Sequence, residues 1–185
     1  MDAITLLTED HDAVRRLFEQ FRSAQDASNG QLMRETADKI FAELEVHTTI
    51  EEEIFYPAAR GKDEDIDETL DESLQEHHVV DVLMEEMRGI ESGSDEWVAK
   101  MTVLIENVEH HAEEEEQELF PDSRKELGDD RMDELGVELE ARKATLKAGE
   151  ATKDELYAKA KEQGVEGRSD MTKDELAAAI GDGEP

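Results

Sequence analysis

The chain has 185 residues, with 52 acidic against 20 basic side chains, a formal net charge of −32 and no cysteine. That length holds one well-packed domain plus a small appendage, and the missing thiols exclude disulfides, thiolate metal sites and thiol catalysis. A field of this sign repels nucleic acid and anionic lipid and attracts cations. An acidic cytosol or a salt-adapted source accounts for the charge without a basic partner. The first residues, MDAITLLTED, show no secretory pattern, and no apolar run approaches the length of a membrane span, so a cytoplasmic protein is expected.

Residues 2–25 carry Ile4, Leu7, Val14, Leu17, Phe18 and Phe21, a helical apolar stripe with His11 in it. DASNGQ at 26–31 reads as a turn. Residues 32–56 continue with Met33, Ala37, Ile40, Phe41 and Leu44, then His47, Glu51, Ile54 and Phe55. Pro57 is disfavoured inside a helix, so this second helix is expected to end near Tyr56, with 58–67 as a polar connection. Residues 68–90 form a third stripe with Leu70, Leu74, His77, Val80, Leu83, Met84 and Met87. After a turn at 92–95, residues 96–120 carry Trp97, Met101, Leu104, Val108, His111, Glu115 and Leu119 and are expected to stop before Pro121. Met132, Leu135, Leu139 and Leu146 predict a fifth helix packed on the outside. No strand-like alternation appears, so the fold class is all-α.

The two halves repeat each other. HTTIEEEIFYP and HAEEEEQELFP each place a glutamate four residues after a histidine and a proline ten residues after it: His47, Glu51, Pro57 and His111, Glu115, Pro121. A single histidine precedes each, His11 by 36 residues and His77 by 34. Positions i and i+4 share a helix face. From His11 to the turn at Asp26 is 15 residues, and from Gln31 to His47 is 16; from His77 to Ser92 is 15, and from Asp95 to His111 is 16. At ~1.5 Å rise per residue the four histidines fall at one level of an up-down-up-down bundle, whose core is a common place for metals.

Six donors, His11, His47, Glu51, His77, His111 and Glu115, are too many for one tetrahedral zinc and suit two metals bridged by carboxylate. Imidazole with carboxylate fits iron, zinc, copper or manganese rather than calcium, and iron is the best guess. A lone histidine on an apolar face is ordinarily a hydrogen-bonded core residue, and it is the repeat that reverses this reading. His78 and His110 point ~100° away from their neighbours and are expected at the surface or behind the ligands. Tyr56 and the methionines read as core packing, with Met84, Met87 and Met101 as a weaker candidate for an apolar gas route.

On these residues the chain resembles hemerythrin-like proteins of the HHE cation-binding family, over roughly residues 2–121 with a fifth helix that also fits. The resembling segments are DHDAVRRLF with His11, HTTIEEEIFYP, EHHVVDVL with His77, and HHAEEEEQELFP. The resemblance implies a four-helix bundle around two non-haem iron ions, oxo- and carboxylate-bridged, that meets O2, NO or peroxide. The oxygen-carrying hemerythrins place a histidine four residues after the one on the third helix; here that position is Asp81. The lost nitrogen shifts the expectation from reversible O2 carriage toward redox chemistry, NO or peroxide handling, or sensing.

Residues 149–185 form the expected second unit, after a bundle domain at 1–148. Thr152–Glu155 and Thr172–Glu175 are two capping boxes around a glycine-containing loop, which predicts a helix–extended loop–helix module at 152–181 with a hinge near Lys147–Ala151. The module resembles small motifs of the SAP or Rho N-terminal kind. The 10 acidic and 5 basic residues of 149–185, a balance of −5, argue for a solvated appendage or a protein-docking module over binding to phosphate. The sequence therefore leaves three readings: a di-iron oxidoreductase, an iron- or oxygen-responsive module that signals through the tail, and a metal-stabilised structural domain.

Overall fold

The structure, a computed structural model, describes residues 1–150. The module expected at 152–181 lies outside them. Among the described residues there is no strand. The elements are α1 (Ala3–Asp26), α2 (Gly30–Ile50), a π turn at Glu51–Phe55, α3 (Tyr56–Ala59), α4 (Glu64–Arg88), α5 (Asp95–Glu114), a second π turn at Glu115–Leu119, α6 (Phe120–Leu127) and α7 (Asp129–Glu150).

Local chemistry sets the boundaries. The side chains of Asp2, Asn29, Asp63 and Ser94 each accept a backbone N–H in the first turn of the helix that follows. The turn between α1 and α2 needs one left-handed residue, Ser28 with φ 51°, and Gly128 with φ 80° ends α6. No helix is long and apolar enough to cross a membrane among the described residues.

The two prolines do not end their helices. Tyr56 N–H donates to the Glu51 carbonyl and Phe120 N–H to the Glu115 carbonyl, so one wide turn precedes each proline. The wide turn accommodates a ring that would clash in an unbroken α-helix, and the chain continues helical beyond it. The second helix thus reaches Ala59, and the connection expected at 58–67 shortens to residues 60–63. There Arg60 pairs with Asp71 at 2.6 Å, and Gly61 N–H donates to Asp67 at 2.8 Å.

Two apolar clusters fill the bundle. One gathers Phe18, Phe21, Ile40, Met84, Trp97 and Met101; the other gathers Leu7, Ile50, Phe55, Leu70, Phe120 and Leu135. In every bundle helix the segment between these clusters holds the expected ligand: His11, His47 with Glu51, His77, and His111 with Glu115. The polar layer therefore sits between two dry ends.

The fifth helix is more than an external addition. Met132, Leu135 and Leu139 are fully buried, and α7 lies across α1, α2 and the first π turn. Gly136 allows this approach: a Cβ there would stand 2.2 Å from the Met1 carbonyl oxygen and 3.0 Å from Ala3 N. The described part of the expected hinge, up to Glu150, is helical, and Lys147 pairs with Glu43 at 2.7 Å. Gly136→Ala should force α7 off the start of α1 and cost about 1–3 kcal/mol. Urea unfolding should show the midpoint falling with the slope unchanged, and an unaltered midpoint would mean that α7 docks elsewhere.

Candidate metal centre

Each long bundle helix brings one histidine to the axis. His11 on α1 and His47 on α2 meet with their Nε2 atoms 3.0 Å apart, and His77 on α4 and His111 on α5 meet at 3.1 Å. Glu51 stands between the pairs, its Oε1 3.3 Å from His47 Nε2 and its Oε2 3.5 Å from His77 Nε2. Glu115 closes the other side, with Oε2 3.3 Å from His11 Nε2 and 3.4 Å from His111 Nε2. The six expected side chains thus form one closed ring, none more than 6% exposed. Their donor atoms fall into two overlapping groups that each fit a metal: His11, His47, Glu51 and Glu115, and Glu51, His77 and His111.

The donor chemistry fits a cation. Both oxygens of Glu51, Oε2 of Glu115 and Nδ1 of His47 are buried without a hydrogen-bond partner. Orphaned carboxylate oxygens facing imidazole lone pairs are costly in a dry layer, and a bound cation would satisfy them. Electrostatics agree. Burial pushes Glu51 well above the ordinary carboxylate range, and the charge of Glu115 adds to this. Burial acts likewise on Glu115, but His111, His11 and His47 hold it well below that range. Burial also opposes protonation of His11, yet its contacts with Glu115 and Glu116 raise it to about 9. Burial carries His47 down to about 4. Without metal, the layer favours the protonated form of His11 at neutral pH and disfavours the charged form of Glu51.

Behind the ring lies a second set of carboxylates that sequence reasoning passed over. His11 Nδ1 is 2.8 Å from Glu116, His77 Nδ1 is 2.8 Å from Glu52, and His111 Nδ1 is 2.8 Å from Glu76. His47 Nδ1 faces Asp10 at a looser 3.7 Å. The arrangement is crossed: Asp10 and Glu76, each just before a histidine, serve the histidine of the next helix. Glu52 and Glu116, each just after a ring glutamate, serve His77 and His11. Such contacts fix the imidazole orientation and raise the basicity of Nε2. The signal was present as repeated pairs, Asp10-His11 with Glu76-His77 and Glu51-Glu52 with Glu115-Glu116.

Tyr56 was also missed, having been read as packing. Its hydroxyl donates to Glu115 Oε1 at 2.9 Å and lies 3.3 Å from His77 Nε2, and its ring stacks on His77 with centroids 5.6 Å apart. The repeat puts Phe120 in the equivalent place, stacked on His11 at 5.9 Å with no hydroxyl. The two halves of the ring match in their histidines and glutamates and differ in this one oxygen. Burial, and the charges of Glu115 and Glu51 after it, raise the Tyr56 phenol well above its usual range.

On the side of the ring away from the glutamates a small cavity touches all four histidines, its apolar wall made by Val14, Phe18, Leu44, Val80 and Val108. Met84, Met87 and Met101 lie in the adjoining apolar cluster, outside that wall. His78, Asp81 and His110 are exposed. His110 approaches Glu114 at 3.6 Å, so the fourth helix presents His111 to the ring.

A buried, carboxylate-linked imidazole ring inside an antiparallel helical bundle defines a cation-binding helical protein. The hemerythrin HHE cation-binding domain family matches residues 2–122, and the chain belongs to that family. The Rho termination factor N-terminal domain matches residues 150–182. A DNA nickase from Nostoc sp. is 26% identical over 157 residues, which cover 82% of this chain and 43% of that protein, so the chain spans less than half of its relative. A crystal structure of a hemerythrin HHE cation-binding domain-containing protein from Mycobacterium kansasii superposes with a TM-score of 0.67 at 20% identity, over 97% of this chain and 99% of the other. That likeness is one of fold.

Removing the Tyr56 hydroxyl strands a buried carboxylate oxygen. Tyr56→Phe should therefore lower the stability of the metal-free protein by about 1–3 kcal/mol. Chemical unfolding after chelation measures it, and an unchanged midpoint would show that Glu115 does not depend on this hydrogen bond.

Proposed function

We propose that the bundle is a non-haem di-iron protein that binds or transforms O2, NO or peroxide. His11 and His47 would hold one iron and His77 and His111 the other, with Glu51 and Glu115 bridging them. The observation that carries this reading is the placement of each glutamate between histidines of both pairs, at 3.3 to 3.5 Å. One four-coordinate metal, held by His11, His47, Glu51 and Glu115, would leave His77 and His111 idle.

When bound, the metal pair supplies electrons and polarises a small ligand. The chain supplies the rest. Glu52, Glu76 and Glu116 hold three of the imidazoles so that Nε2 faces inward, and Asp10 faces the fourth at a looser distance. The apolar wall of Val14, Phe18, Leu44, Val80 and Val108 admits a small neutral molecule and disfavours water and ions. Tyr56 keeps a hydroxyl against Glu115 and His77 on one side only, so the two metal positions would differ in the hydrogen bonding around them. With Asp81 exposed, no fifth nitrogen comes from α4 at that position. This supports turnover or sensing over reversible oxygen carriage.

The purified protein should hold about two irons per chain. His111→Ala should lose iron and thermal stability together, since the metal binds the folded state, while His110→Ala should keep both. A single zinc that iron cannot displace would refute the di-iron assignment. Metal must also expel the proton held by His11. With His11 raised to about 9, apparent iron affinity should climb with pH toward that value and fall on acidification. A chelator competition series across pH measures this, and a flat profile would remove His11 from the ligands.

We assign the tail at 152–181 to docking on a protein, with 1–148 as the metal domain and 149–185 as a separate unit. The alternative is a nucleic-acid-linked sensor, favoured by the Rho-like match and by the relative named a DNA nickase. The charge of −32 opposes it. The full chain should not retain duplex DNA at physiological salt. Binding that weakens steeply as salt rises would favour the alternative.

A further inference from the structure

The four histidine–carboxylate contacts are unequal. Three hold at 2.8 Å, but His47 Nδ1 stands 3.7 Å from Asp10 Oδ2, beyond a hydrogen bond, and both atoms are buried without a partner. At the other oxygen of the same carboxylate, Lys143 of α7 places its ammonium on Asp10 Oδ1. Asp10 corresponds in the repeat to Glu76, which closes on His111 at 2.8 Å. The fifth helix lies on the α1–α2 side, and two more of its cations hold it there: Arg142 pairs with Glu53 at 2.6 Å and Lys147 with Glu43 at 2.7 Å.

A carboxylate that accepts the Nδ1 proton fixes a ligand histidine and makes its Nε2 a stronger donor. An ammonium on that carboxylate neutralises it and draws it away. We propose that Lys143 is a positioning residue for the metal centre. By holding Asp10 off His47 it makes the His11–His47 position the weaker of the two and ties that position to the docking of the fifth helix. The proposal rests on the two-metal reading for its consequence and on the described geometry for its cause.

Lys143→Met keeps the aliphatic stem and removes the charge. In the metal-free protein, nitrogen NMR of the imidazoles should show the His47 Nδ1 signal moving toward the hydrogen-bonded position occupied by His111, with His111 unmoved. In an Asp10→Ala background the same substitution should leave His47 where it is. In the iron-loaded protein, release to a chelator should be biphasic, and Lys143→Met should slow the fast phase about tenfold. Arg142→Met removes a neighbouring ion pair of α7 without touching Asp10 and should change neither reading. An unmoved His47 signal in Lys143→Met overturns the proposal, and so does an Arg142→Met variant that reproduces both effects. If the protein fails to hold two irons, the di-iron reading falls, while the NMR comparison still decides whether Lys143 acts on His47 through Asp10.

Discussion

The structure depends on the burial of ionisable groups in a dry layer. Glu51 and Glu115 are wholly buried between two apolar clusters, and four imidazoles share the level with them. An unpaired carboxylate in such a place costs several kcal/mol. Each part of the surrounding architecture answers that cost. The imidazoles face the glutamates, the outer carboxylates satisfy Nδ1 atoms, and Tyr56 covers one oxygen of Glu115. Both oxygens of Glu51 and Oε2 of Glu115 remain unsatisfied at the centre of the ring, where a cation would stand. The orphaned atoms and the cation-binding family point to the same place.

The internal repeat explains both the symmetry of the site and the informative departures from it. Two copies of a helix pair give each half a single histidine, a His-x-x-x-Glu segment, a π turn opening at the glutamate and a proline just beyond. The π turns belong to the site as much as to the fold. Each begins at a ring glutamate and widens the helix where two successive carboxylates reach opposite nitrogens of one imidazole: Glu51 faces Nε2 and Glu52 Nδ1 of His77, and Glu115 faces Nε2 and Glu116 Nδ1 of His11. The symmetry fails at two points. Tyr56 stands where the other half has Phe120, and Asp10 is shared with α7 where Glu76 is not displaced from His111. Both departures leave the six ring donors alone and change what lies immediately behind them.

Much of the inner ring was legible because helical periodicity maps spacing onto a face. His47 with Glu51 and His111 with Glu115 are four apart, and equal distances to the turns set the four histidines at one height. The outer ring was not legible for a compositional reason: among 52 acidic residues, Glu52, Glu76, Glu116 and Asp10 have no contrast with their neighbours. Tyr56 was hidden because an aromatic residue beside a proline at the end of an apolar stripe has an ordinary explanation in packing. The π turns were hidden because proline signals helix termination in sequence, and the extra residue that accommodates it leaves no compositional mark. The fifth helix was visible as a stripe of Met132, Leu135 and Leu139, but its intimate docking depended on the missing side chain of Gly136.

The balance of donors also bears on what the site handles. Four imidazoles against two carboxylates would leave two divalent ions, on the di-iron reading proposed above, with excess positive charge, whereas a carboxylate-rich ring would neutralise them. A centre of that kind holds its metals and draws in small electron-rich ligands. The cavity beside the four histidines combines an apolar wall of Val14, Phe18, Leu44, Val80 and Val108 with Arg15, Thr48, Glu76 and Glu109 at its border, so it offers a small neutral ligand an apolar surface next to the imidazoles. The acidic exterior concentrates cations at the surface, while the glutamate oxygens turn inward from their π turns to the four Nε2 atoms, so the negative charge that would hold a cation lies at the ring itself.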